Sequence, residues 1–88
     1  MTVTLVAAGD DTCTVLEKTN SCSTQLNVPL SVSALVALMR ELLADTEKRD
    51  VTSGPVYIDR MRDGLRINSG SANFTINYRD LFPIVAEG

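Results

Sequence analysis

No histidine and no tryptophan occur among the 88 residues, cysteine appears twice, and aromatic side chains make up 5%. Without histidine, the commonest general base and the usual activator of a serine or cysteine nucleophile are missing. Two thiols and no imidazole fall short of a structural zinc site, and the eight residues between Cys13 and Cys22 are not the spacing of a redox pair. No G-x-x-x-x-G-K or G-x-G-x-x-G segment is present to cradle a phosphate. Asp10-Asp11 lacks the surrounding oxygen ligands of a calcium loop and reads as a solvated turn. No apolar run approaches the roughly 20 residues that span a bilayer, and Met1-Thr2-Val3 opens without the basic residues of a secretory signal. These absences lead to the expectation of a noncatalytic, cofactor-free, metal-free cytoplasmic protein that does not engage the membrane.

What is present is ordinary for a folded domain. Apolar residues make up 44% and charged residues 22%, which excludes disordered and collagen-like classes. Residues 1–88 suffice for one domain, and a chain this short hides roughly 60–65% of its extended surface on folding. Its stability margin is thin, so self-association as a homodimer is a reasonable expectation. The net charge of −3 opposes a generic phosphate-backbone binder. Charge is unevenly spread: residues 1–50 carry four basic and seven acidic groups, whereas residues 51–88 carry four of each, the bases all arginine.

Period-2 alternation in residues 2–8, 13–17 and 24–30 predicts three strands, with a turn at Thr19-Asn20-Ser21 that keeps the two cysteines apart. Both are expected to be reduced packing residues. From Val32 the period changes to 3.6, with Leu35, Val36, Met39, Leu42 and Leu43 on one stripe and Ser31 as N-cap, so a helix is expected from about Ser31 to Lys48. Thr52-Ser53-Gly54-Pro55 reads as the segment that stops it. Residues 56–61 and 65–68 flank Arg62-Asp63-Gly64 as a hairpin, Ser69-Gly70-Ser71 turns the chain, and Phe74, Ile76 and Tyr78 alternate in a last strand. Asn73-Phe74-Thr75 matches a glycosylation sequon but reads as strand. Asp80 can cap a short terminal helix whose Leu81, Phe82, Ile84 and Val85 face the body. The expected fold is therefore α+β in the order βββα-βββα. A mostly antiparallel sheet of five to six strands would carry one long amphipathic helix on one face and a short C-terminal helix. A step of fifty residues places Asn27 on Asn77, a weak sign of an internal repeat.

The second hairpin supplies the candidate site. If Gly64 occupies the left-handed position of a three-residue loop, Met61 opposes Leu65 and Tyr57 opposes Ser69 on the inner face, while Arg60 opposes Arg66 on the other. Like charges so placed repel, and the cost suggests a compensating anion. Arg60, Arg62 and Arg66 would then grip partner carboxylates, or adjacent phosphates, through bidentate forks. The plainer alternative is a solvated face on which Asp59, Asp63 or acids of the helix neutralise them. The functional expectation is a small noncatalytic protein-binding domain that regulates or inhibits a larger partner. The rival is nucleic-acid binding through the same arginines. No familiar motif is present to carry over, as in small, fast-diverging accessory proteins of phage type.

Overall fold

Short polar turns between β-branched segments make the first third of the chain an antiparallel meander. The computed structural model describes residues 2–87; the expected domain of residues 1–88 reaches one residue past these at each end. The meander consists of β1 (Thr2–Ala7), β2 (Cys13–Lys18) and β3 (Ser23–Val28), paired in that order. Cys13 sits in β2 against the core, while Cys22 lies exposed at the β2–β3 turn, and both thiols are free. The second half holds β4 (Asp50–Ser53), β5 (Val56–Arg60), β6 (Gly64–Ser69) and β7 (Ala72–Asn77), again paired in chain order. Helix α1 (Val32–Ala44) joins the two halves and α2 (Tyr78–Glu87) follows β7.

The α+β class and antiparallel pairing agree with the sequence reading, but the strands number seven and form two sheets instead of one. β3 and β7 approach each other along their edges without sharing a ladder. The inward faces of both sheets and the apolar stripes of both helices enclose one core, in which Val15, Ile58, Ile67, Ile76, Leu35 and Leu81 are fully buried.

Helix α1 begins where expected: the Ser31 hydroxyl accepts the Ala34 N–H at 3.2 Å. It ends four residues before Lys48, because Asp45 leaves the helical region and its carboxylate takes the Glu47 N–H at 3.0 Å. A short acidic side chain that bonds backbone two residues on competes with continued helix. The released chain forms β4, which the sequence reading took for a stop signal. Gly54 at φ 58° followed by Pro55 is a two-residue turn with the sign pattern of type II′, whose twist suits a hairpin. Thr52-Ser53-Gly54-Pro55 is thus a strand end and turn, and β4 joins the edge of the second sheet.

The β5–β6 register also departs from expectation. Met61 N–H donates to Gly64 O at 2.8 Å, so Arg62 and Asp63 make a two-residue turn and Arg60 stands opposite Leu65. Gly64 does not adopt positive φ. Its role is close approach: a Cβ there would lie 1.9 Å from the Ile76 carbonyl oxygen of β7. The one-residue slip transfers side chains between faces. Arg60 turns to the core side and Tyr57 to the outer face, the reverse of what was expected for both.

Arg60 finds its partners at the end of α1. That helix has no basic residue in its last turn. The Arg60 guanidinium reaches across from β5, donating through Nη2 to Leu42 O and, at 2.8 Å, to Asp45 O, and through Nε to Lys48 O at 3.1 Å. Carbonyls at a helix C-terminus lack intrahelical donors and carry partial negative charge. Replacing Arg60 by alanine is expected to cost about 2–4 kcal/mol, since charge-assisted bonds contribute ~1.5–3 each and water recovers part. Arg60→Lys should restore less than half. Urea denaturation of both variants checks this.

Candidate functional site

The three arginines expected to act together occupy three separate places. Arg60 caps α1. Arg66 lies on the outer face of the second sheet, directly opposite Asp59 and not Arg60. Its Nη2 meets Asp59 Oδ2 at 2.8 Å and its Nε meets Oδ1 at 3.1 Å, a two-pronged ion pair. Arg62 alone stays at the hairpin tip, exposed.

The outer face of the second sheet is a polar lattice. Across the strands, Asp50, Asp59, Arg66 and Thr75 stand in one row, and Thr52, Tyr57, Asn68 and Asn73 in the next. Asp50 and Asp59 are like charges directly opposite, an arrangement that costs stability unless neutralised. Arg66 and the Asn68 amide, at 3.1 Å, bond Asp59, and the Tyr57 hydroxyl donates to Asp50 at 3.1 Å. The Arg66 guanidinium, the Asn68 amide and the Tyr57 hydroxyl are thus all engaged within this face.

Around Arg62 the picture differs. Tyr78, the first residue of α2, ties down the hairpin tip twice: its N–H donates to Asp63 O at 3.0 Å and its hydroxyl to Met61 O at 3.1 Å. One turn along the helix, the Phe82 ring stacks on Tyr78 with centroids 6.1 Å apart and planes 17° from parallel. Phe82 is 56% exposed and Met61 36%. The expectation that Phe82 faces the body therefore fails: α2 starts at Tyr78, two residues before Asp80, and this phase turns Leu81 inward and Phe82 outward. The earlier start also carries Pro83 past the first turn, where its missing N–H leaves the Arg79 carbonyl without its intrahelical donor.

A cleft of about 560 Å³ opens beside these rings, lined by Arg62, Asp63, Asn77, Tyr78, Arg79 and Asp80. The ion pairs among the described residues are Lys48–Glu41 and Arg66–Asp59, so neither Arg62 nor Arg79 is neutralised by a bonded carboxylate. Tyr78 thus stacks on the exposed Phe82, bonds the Met61 carbonyl, and shares its cleft with two guanidinium groups and two carboxylates. The sequence reading reached Arg62 of this set and missed Arg79 and Phe82. The available signal was the Tyr78–Phe82 spacing of four with Arg79 between, which marks an aromatic row on a helix face once the helix start is known.

Among the described residues no three His, Cys, Asp or Glu side chains converge as a metal site would need. Burial pushes the Cys13 thiol up from its ordinary value, away from the thiolate form that a nucleophile needs. Comparison of the chain with known protein families, with curated proteins and with solved structures gave no match.

The polar lattice makes a pH prediction. Tyr57 ionises above the ordinary tyrosine value because its hydroxyl donates to Asp50, with desolvation and the Asp50 charge adding to the shift. The neutral phenol is the form favoured by folding. Whatever this pair adds to stability is therefore present below the unfolded tyrosine value and lost as pH rises through the raised one. In a Tyr78→Phe background, where Tyr57 is the remaining phenol, Asp50→Asn should move the absorbance titration at alkaline pH to a lower midpoint.

Proposed function

We propose that this protein is a noncatalytic binding domain that docks a larger protein partner on the Met61–Tyr78–Phe82 patch and regulates or inhibits it by occupancy. The observation that carries the reading is the Phe82 ring, more than half exposed on an ordered helix and stacked on Tyr78 beside the unpaired Arg62 and Arg79. An apolar aromatic surface costs free energy in water, and it is tolerated where a partner covers it. Aromatic side chains, Met and Arg are the types enriched at protein interfaces, and buried aromatic and arginine anchors carry most of their affinity. Asp63 and Asp80 line the same cleft, which favours a partner of mixed polarity and disfavours a run of phosphates.

Of the arginines expected from sequence, Arg62 belongs to this reading; Arg66 and Arg60 are engaged within the fold. Nucleic-acid binding is disfavoured because Arg62 and Arg79 share their cleft with two carboxylates and the whole chain carries −3.

The test is capture from native lysate on the immobilised protein, followed by affinity measurement on the captured species. Phe82→Ser and the Arg62→Glu/Arg79→Glu pair should each weaken binding by at least about tenfold, the scale of one interface anchor. Arg66→Gln, on the opposite face, should leave it unchanged. Equal affinity in all three removes the site. A captured nucleic acid whose affinity falls steeply with salt replaces the protein-binding reading with its rival.

A further inference from the structure

Four strands lie at sheet edges, and three of them are covered or blunted. β3 and β7 flank one another, and Pro29 follows β3 immediately. β4 is four residues long, opens on Asp50 and ends in Gly54-Pro55. β1 has none of these protections. It runs six residues, Thr2–Ala7, with no charge and no proline, and three of its residues are β-branched within Val3–Val6. Its backbone pairs with β2 on one side. Among the described residues no further backbone bond is made by Val3 to Ala7, so the alternate N–H and C=O groups along the other side find no partner among them.

That open side borders an apolar groove. A hollow of about 350 Å³ lies between β1, α1 and α2, with Val3, Leu5, Val32, Val36 and Ile84 on its walls. A second hollow of about 430 Å³ continues it past Ala7 and Ala37, sharing Val32 and Val36. Val3 and Leu5 point to the helix side yet remain only partly buried, although Val15, opposite Leu5 on β2, and Cys13, opposite Ala7, are fully covered. Long, uncharged edges that nothing covers are templates for another strand.

We infer that the β1 edge is a self-association surface, occupied by β1 of a second copy of this chain in an antiparallel pairing about a twofold axis. The charge pattern selects the occupant. An isologous contact sets each residue against itself or a near neighbour, so any charged residue near the axis would meet its own kind; β1 carries none. Registers that set odd residues against odd keep Val3, Leu5 and Ala7 of both copies on the helix side and merge the two three-stranded sheets into one of six. The same operation brings the two grooves side by side and covers the half-buried valine and leucine. The surface is distinct from the proposed docking patch, so two copies would present two patches.

Sedimentation of the full chain between micromolar and a few hundred micromolar tests the inference. Wild type should form a dimer. Thr4→Lys with Val6→Lys, two exposed outer-face positions, sets lysines directly against each other in the registers centred on Thr4, Leu5 or Val6 and diagonally in those centred on Val3 or Ala7, and should weaken dimerisation by at least about tenfold. Phe82→Ser should leave the dimer intact. Hydrogen exchange on wild type supplies a second reading should the lysine variant fail to fold: the outward β1 amides should exchange slowly when concentrated and quickly when dilute. A wild-type monomer throughout, a dimer indifferent to the two lysines, a dimer lost in Phe82→Ser instead, or β1 amides whose exchange ignores concentration would each overturn it.

Discussion

One guanidinium group joins the two halves of the chain. Arg60, at the end of β5, serves the carbonyls of Leu42, Asp45 and Lys48, and so ties the end of α1 to the second sheet. The same solution recurs on the other helix, where Arg40 of α1 donates through Nε to Val85 O of α2 at 2.8 Å. Neither helix has a basic residue in its own last turn. Each borrows its cation from another element, which converts a local capping requirement into a tertiary contact. Arginines engaged in this way have their donors directed at backbone carbonyls of the fold. Arg62 and Arg79 stay exposed and share one cleft, whereas Arg60 and Arg66 are engaged within the fold, which explains why a local cluster of arginine in sequence is a poor guide to a cluster in space.

Much of the architecture was legible because its cause is periodic. The alternation of Cys13, Val15, Leu26 and Val28 against polar neighbours, and the switch to Leu35, Met39 and Leu42, report burial directly. What escaped detection depended on events with no period. β4 has one buried residue, Val51, so its four residues carry no alternation to read. The end of α1 rests on one carboxylate of Asp45 folding back onto Glu47 N–H, and a residue that ends a helix this way is indistinguishable by type from one on its solvated face. The β5–β6 register turned on the reason for a glycine. Gly64 answers to the nearby Ile76 carbonyl, not to turn geometry, and assigning it the wrong reason moved every partner by one position.

The candidate site was less legible than the fold for the same kind of reason. Met61, Arg62, Tyr78 and Phe82 are neighbours because the two hydrogen bonds of Tyr78 bring a hairpin tip to a helix start, a join between residues more than a dozen apart in the chain. Arg66 meets Asp59, the neutralisation that the sequence offered as the plainer alternative to an anion site. The repulsion first inferred between arginines exists instead between Asp50 and Asp59, and the sheet resolves it with its own donors.

The junction between β7 and α2 has a consequence of its own. No residue separates Asn77, the last of the strand, from Tyr78, the first of the helix. Each residue advances a helix by about 100° and 1.5 Å. A single codon gained at that junction would slide Leu81 into the solvent position now held by Phe82 and bring Phe82 to that of Pro83. The turns at residues 9–12 and 19–22 join strand to strand and carry no such phase, whereas this seam behaves like the keyed joint of a shaft, whose angular setting decides which side chain is on display.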